Sequence, residues 1–435
     1  MSPIEPYAPQ PSLGPAPSTV SKRQRVPLLL VIACALVALN FGRLNELLPA
    51  FQAPFFRILS PLGLLVMLAE TNVARRLRVI RTPQGRAVGT FALAMVLSVP
   101  FSLWPGGSFG EAFHYIAAAV PVIVLTAAAI QSERDFAWVM RSLVAAVILL
   151  AVGLAAGAEQ AGRATTTTTY DPNDLALVAV VSLPPAIWVQ RVKPLRWRVL
   201  GMMGIVAALV IVTRSASRGG VLGLAAVILA LLFLSRDVIP RRWRLPVLTV
   251  ATLVLATAPA VFWDRLRTFE NVSQDYNLTA ETGRVAIWKR GVGYFLERPF
   301  TGVGMGQYGL AEGVSGQRIV RPGVGFKWSA AHNMYIQAAA ELGILGLIAF
   351  LGLSWPTVRA VRRAGRAART GAIDPALLAL GQTLVASIVG FMVTGFFLSA
   401  AYGPVTMTLA ALGMAYHNLL RRSAAQRITS VAAPA

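Results

Sequence analysis

With one cysteine and three histidines in 435 residues, the chain has little material for thiol or metal chemistry. Cys34 alone excludes a disulfide within the chain, and the redox compartment leaves no readable mark. No cluster of His, Cys and carboxylates has ligand spacing, so neither a catalytic metal nor another cofactor is expected. Asp171 and Asp174 come nearest; beside Pro172 and Asn173 at a helix start, they read more simply as turn and cap residues. Acidic residues are scarce, 18 Asp and Glu against 40 Lys and Arg, giving a net charge of +22. That charge would suit a nucleic acid, but the basic residues are scattered over short segments and no basic groove interleaved with aromatics occurs, which excludes nucleic acid as a partner. Internal repeats, a common mark of secondary transporters, are not evident either.

Apolar residues fill the space. They make up 56% of the chain and the mean hydropathy is +0.62, far above a soluble globular protein of this length. Runs of about 17 to 25 apolar residues predict an all-α integral membrane protein of about twelve spans. They fall near 27–42, 53–69, 87–104, 113–130, 136–157, 174–190, 197–213, 219–235, 245–262, 333–355, 374–396 and 400–419. The segments around Lys22–Arg25, Arg75–Arg86, Arg134–Arg141, Arg191–Arg198, Arg236–Arg244, Arg359–Arg369 and Arg421–Arg427 hold most of the Lys and Arg. The positive-inside rule makes all of them cytoplasmic, facing anionic lipids, with both termini inside and an even span count. The division that follows is a disordered cytoplasmic Pro-rich tail (1–26), nine spans (27–262), an outer loop (263–331), three spans (332–420) and a basic cytoplasmic tail (421–435).

The loop 263–331 is much longer than a helix connection needs, and such loops usually carry function. Within it, Arg284–Arg298 spaces Ile287, Trp288, Val292 and Phe295 as a helix lying on the membrane or the bundle would. Gly302-Val303-Gly304-Met305-Gly306 resembles a nucleotide loop only superficially; without strand–helix–strand context it reads as a flexible turn. Between the seventh and eighth spans, Ser217 is an N-cap candidate, Arg218 adjoins it, and Gly219 and Gly220 would leave backbone N–H groups open to a phosphate. The same residues also read as a cap with interfacial arginines, Arg214 and Arg218, that snorkel.

His332 opens the tenth span in Ala330-Ala331-His332-Asn333-Met334, where a titratable imidazole could act as a general base at neutral pH. Glu341 is the carboxylate inside that helix. Nine residues at ~100° each turn it to the opposite face and ~13.5 Å deeper, so it cannot orient His332 unless the helix breaks, and a structural hydrogen bond is its default role.

Asp171-Pro172-Asn173-Asp174-Leu175-Ala176, Thr213 to Gly219, Gly283-Arg284 with Ile287-Trp288, Pro299 with Gly302-Val303-Gly304, and His332-Asn333 with Gln337, Glu341, Gly343 and Gly346 together resemble the O-antigen ligase and polymerase superfamily. The resemblance covers about residues 170–355. It implies a metal-independent glycosyltransferase of a bacterial inner membrane, working at the periplasmic face on an undecaprenyl-pyrophosphate-linked glycan. In the ligase branch the acceptor is a lipid A-core sugar; in the Wzy-type polymerase branch it is another carrier-linked glycan. By the same resemblance His332 is the general base and Arg218 and Arg284 bind pyrophosphate, with Arg214 in reserve and Ser217, Gly219, Asn333, Asn173 and Glu341 in support. A secondary transporter is the alternative from another class.

Overall fold

The computed structural model describes residues 26–43, 55–156, 170–192, 194–234, 256–267, 282–319 and 328–432, with isolated positions between them. The expected Pro-rich tail up to residue 25 and part of the expected ninth span, 245–262, lie outside these residues. Among the described residues, regular structure is helical except for a two-residue antiparallel ladder, Glu159–Gln160 against Arg163–Ala164.

The first half runs through α1 (Leu28–Phe41), α2 (Phe55–Ala69), α3 (Pro83–Ser98), α4 (Pro105–His114), α5 (Val120–Ala129) and α6 (Glu133–Ala156). Then follow α7 (Pro172–Gln190), α8 (Leu195–Ser215), α9 (Arg218–Leu229), α10 (Ala260–Arg267), α11 (Arg284–Glu297) and α12 (Tyr308–Ile319). Four helices close the chain: α13 (Met334–Gly352), α14 (Trp355–Ala368), α15 (Pro375–Gly395) and α16 (Pro404–Ala432).

Six helical stretches among the described residues are long and apolar enough to cross a membrane: Pro105–Ala129, Glu133–Ala155, Pro172–Gln190, Leu195–Ser215, Met334–Ala368 and Pro375–Gly395. Ile58–Ala69 and Val73–Arg81, bent by 116°, would make a seventh if counted as one span. The all-α membrane architecture thus stands, but twelve spans do not follow from these helices. α1, α3 and α9 cover 14, 16 and 12 residues, below the roughly 17 to 25 that a span needs. α16 runs on as helix through the basic segment to Ala432.

Helix starts obey local chemistry. Thr82, Asp171, Ser217, Asn333 and Asp374 each accept backbone N–H groups at the heads of α3, α7, α9, α13 and α15, and proline stands in the first turn of three of these. At α7 the cap is reciprocal, Asp171 and Asp174 each accepting from the other's end of the turn. In lipid such caps matter more than in water, because an open donor has no solvent to fall back on.

α7 is the centre of the bundle. It packs against α6, α8, α9 and α15, and Leu175 to Val180 are sealed from solvent. Small residues let its neighbours approach: a Cβ on Gly201 of α8 would lie 2.2 Å from the Gln190 nitrogen of α7.

One span is broken. Inside α13, Gly343 has φ 67° and ψ −164°, a conformation that only glycine adopts readily. The Pro299–Gly304 turn fills the break. Val303 N–H donates to Ala340 O (2.8 Å), Gly304 N–H to Glu341 O (3.0 Å) and Ile344 N–H to Pro299 O (2.7 Å). Backbone groups freed by the break are thereby re-paired, as an apolar surrounding demands. Gly302 and Gly304 have φ of 66° and 107°, and residues 302–305 are buried. The glycine-rich stretch is therefore neither a flexible turn nor a nucleotide loop; it is a plug that completes α13.

Candidate functional site

Three segments singled out in the sequence meet at one corner of the bundle. The first is the α8–α9 turn. α8 ends with Arg214 exposed in its last turn, Ala216 turns the chain with φ 45°, and Ser217 accepts the Gly220 N–H at 3.2 Å to start α9. Arg218, half-buried, is the first residue of α9. The two glycines serve packing. A Cβ on Gly219 would lie 3.1 Å from the Phe397 ring, and one on Gly220 would lie 2.6 Å from Ala176 of α7. The Gly220 N–H is taken by the cap and is not open to a phosphate, contrary to the sequence reading.

The second segment is α11. It begins at Arg284, half-buried behind Gly283, and buries Ile287, Gly291 and Tyr294 on one face. Trp288, one turn on from Arg284, donates its indole N–H to Ala331 O at 3.1 Å. Its ring lies edge-on to Phe396 (5.2 Å between centroids) and tilted over Phe397 (6.4 Å).

The third is His332. Its φ of 47° is unusual for a residue with a side chain, and its N–H donates to the Ser399 hydroxyl at 2.8 Å. Next to it, Asn333 is buried and accepts the Tyr335 and Ile336 N–H groups (2.9 and 3.1 Å), which turns the chain into α13. Phe396, Phe397 and Ser399, in the α15–α16 connection, thus touch all three segments. Sequence reading missed them: two phenylalanines at the end of an apolar run look lipid-facing, and only the fold brings them against Trp288.

Asn173 sits in the first turn of α7, its N–H and side-chain amide both bonded to Asp171. Glu341 is nearly sealed, 2% exposed, and its Oε1 accepts the Tyr308 N–H at 3.1 Å. It caps α12, where a negative group is favoured by the helix dipole. The break at Gly343 comes after Glu341, so the helix is continuous from Met334 to Leu342.

α12 is clamped to α11. Arg290 grips Glu312 with two nitrogens on one edge of its guanidinium (3.0 Å from Nε to Oε1, 2.6 Å from Nη2 to Oε2), and the Tyr294 hydroxyl adds a 2.9 Å bond. The hydrogen bond from Arg290 to Glu312 raises the Arg290 pKa against the opposing effect of burial. Burial, then the Glu312 and Tyr294 charges, pushes the Tyr308 hydroxyl far up, so it stays protonated and donates to Ile287 O at 2.8 Å.

Beside this corner opens a cavity of ≈ 1200 Å³. Ala330, Ala331 and Ser399, which flank or hold His332, form part of its wall, and Glu341 lines it, whereas Arg214, Arg218 and Arg284 do not. Among the described residues no group of three or more His, Cys, Asp or Glu is gathered as metal ligands.

No curated protein sequence matches the chain. A family model described as O-antigen ligase matches residues 203–351, from mid-α8 through α9, α11 and α12 into α13. Apart from Asn173, each candidate residue lies in that interval, and over it the chain is similar to the O-antigen ligase family.

Proposed function

We propose that the protein is an O-antigen-ligase-like membrane glycosyltransferase that moves a glycan from an undecaprenyl-pyrophosphate carrier to a lipid A-core sugar or similar acceptor. His332 takes the proton from the acceptor hydroxyl as that oxygen attacks the anomeric carbon. The bond from that carbon to the pyrophosphate breaks, and the leaving oxygens gain charge. Arg218 and Arg284, with Arg214 near them, stabilise that charge and so lower the barrier rather than merely hold substrate. The imidazolium then returns its proton to solvent. No metal is assigned a step.

The observation that carries this reading is the meeting of Gly219, Trp288 and the His332 backbone on Phe397, Phe396 and Ser399. It brings two arginine-bearing helix starts and the single imidazole of the 203–351 interval to one corner. In the topology proposed with it, twelve spans in an inner membrane leave both termini cytoplasmic and this corner periplasmic. The exposed arginines of α14, Arg359, Arg362, Arg363 and Arg366, then face anionic lipid headgroups inside.

A Wzy-type polymerase uses the same chemistry with a second carrier-linked glycan as acceptor. Purified protein given a carrier-linked glycan and either lipid A-core or a second repeat unit decides between them. Transfer to lipid A-core supports the ligase, transfer only to the repeat unit supports the polymerase, and no transfer to either removes both.

A further inference from the structure

At the end of α8 remote from Arg214, two tryptophans and a group of arginines are gathered between α6 and α8. We infer that this cluster is the headgroup seat of an anionic phospholipid, one acyl chain of which lies along the exposed face of α8.

Both helices contribute through their spacing. On α6, Arg134, Trp138 and Arg141 stand at i, i+4 and i+7 and so share one face; Arg196 and Trp197 belong to the first turn of α8. The Trp138 and Trp197 rings meet edge to face, 5.4 Å apart. The Arg141 guanidinium lies 4.1 Å from the centroid of Trp197 and 5.2 Å from that of Trp138, and Arg196 lies 4.9 Å from that of Trp197. The indole faces hold these cations by cation–π attraction, which is strongest where water is excluded.

What the rings do not supply is a counter-charge. The charged groups that bear most on Arg141 are Arg196 and Arg134, both cations. Its Nε is buried without a hydrogen-bond partner among the described residues, although the residue as a whole is only half-buried. The carboxylates in the first turn of α6 are engaged elsewhere: Asp135 accepts the Gln131 N–H at 3.0 Å, and Glu133 lies within charge range of Asp374 at the head of α15. The head of α8 adds to the excess, because Pro194 offers its first turn no side-chain cap and the positive end of the helix dipole stays uncovered. Arginines that only snorkel extend into water, away from like charge. Arg141, ~12 Å along α6 from Glu133, is instead held against two indoles beside two other cations. An anion is the missing partner, and phosphate oxygens suit the planar donors of a guanidinium.

The surface beyond the cluster identifies the source of that phosphate. Leu195, Val199, Met203 and Val206 are exposed at i, i+4, i+8 and i+11 of α8, an apolar stripe that starts at the arginines. From Leu195 to Val206 the helix rises ~16 Å, the depth of one leaflet in a ~30 Å hydrocarbon core. A free phosphate ion would use the arginines and leave the stripe bare, whereas a diacyl phospholipid covers both. A zwitterionic lipid brings its own cation to a place already crowded with cations, so the seat favours a headgroup with net negative charge.

Native mass spectrometry of the full-length protein in detergent, titrated with palmitoyl-oleoyl phosphatidylglycerol or the corresponding phosphatidylcholine, tests this. Phosphatidylglycerol is expected to bind at least about fivefold more tightly, the factor that one arginine near an anionic surface contributes. Arg141→Gln should lose that preference. Because Arg141 also packs on the rings, a second variant is needed: Arg134→Gln with Arg196→Gln, both at exposed positions, should weaken phosphatidylglycerol by at least about fivefold and leave phosphatidylcholine unchanged. The control is Arg359→Gln with Arg362→Gln on α14, a helix that packs on α15 and α16; it removes the same charge and should keep the preference. Equal binding of the two lipids, or an equal loss in the control, overturns the inference. So does displacement of phosphatidylglycerol by inorganic phosphate at equal concentration, which would make the cluster a seat for a free anion.

Discussion

The Trp288 indole donates to the Ala331 carbonyl at 3.1 Å, so the helix that begins with Arg284 is fixed directly to the residue before His332. The proposed electrostatic and base elements therefore do not move independently. Trp288→Phe keeps most of the ring packing on Phe396 and Phe397 but loses the hydrogen bond. The stability cost should be about 0.5–1.5 kcal/mol, whereas transfer should fall further, by roughly tenfold to a hundredfold, because small misplacements at a reacting centre are expensive. Thermal unfolding and transfer rates on the same preparation check this.

His332 needs a side chain that tolerates its left-handed backbone, which makes alanine an ambiguous replacement. Asparagine visits that region more readily and has no proton-accepting nitrogen at neutral pH. His332→Asn should fold as the parent does and lose transfer by about 10² to 10⁴-fold, the usual contribution of a general base. Full transfer by this variant would remove the proposed base. Ser399→Ala, which takes away the acceptor for the His332 N–H, should lower kcat while leaving the acceptor KM close to the parent value.

Arg290 and Glu312 hold α11 to α12 through a fork that lysine cannot reproduce. Arg290→Lys leaves a nearly sealed carboxylate with a poorer partner and should destabilise by about 1–3 kcal/mol. Arg290→Met removes the partner altogether and should cost more. Because the pair raises the Arg290 pKa, its stabilising effect is complete below the ordinary arginine range and is lost only as pH rises through a still higher value. Alkaline inactivation at moderate pH should therefore be the same in parent and Arg290→Lys, as pH–rate profiles would show.

What could be read from the sequence was what short-range chemistry controls. Asp171, Pro172 and Asp174 announce a capped helix start, and α7 has one. The spacing of Ile287, Trp288 and Val292 announces a surface helix over 284–298, and α11 covers Arg284–Glu297. The break in α13 could not be read, because the apolar run 333–355 is continuous and the groups that re-pair it come from Pro299–Gly304, some forty residues earlier. Ser399 and Phe397 were equally hidden: nothing local distinguishes them, and their part in the site exists only once α9, α11 and α13 meet. The cavity was invisible for the same reason, its walls coming from α1, α4, α7, α12, α13 and the α15–α16 connection.

That break allows two sources of strain to be separated. Gly343 and Gly371 share nearly the same φ, 67° and 69°, but a Cβ on Gly343 would lie 2.5 Å from the Phe300 carbonyl, whereas one on Gly371 would meet nothing within 4 Å. Gly371→Ala should therefore show the backbone penalty alone, about 1–2 kcal/mol. At Gly343 the ψ of −164° lies outside the left-handed helical basin, so Gly343→Ala carries a steeper backbone penalty and adds a collision with backbone that cannot rotate away, for a total of roughly 2–5 kcal/mol. The collision also pushes on the Ile344–Pro299 hydrogen bond, and through the plug on Glu341 and the head of α12. If the plug is what shapes this side of the cavity, Gly343→Ala should lose transfer at temperatures where the protein is still folded, while Gly371→Ala keeps it. Thermal unfolding in detergent alongside transfer assays decides the matter, and equal losses in the two variants would mean that the plug contributes backbone conformation and nothing more.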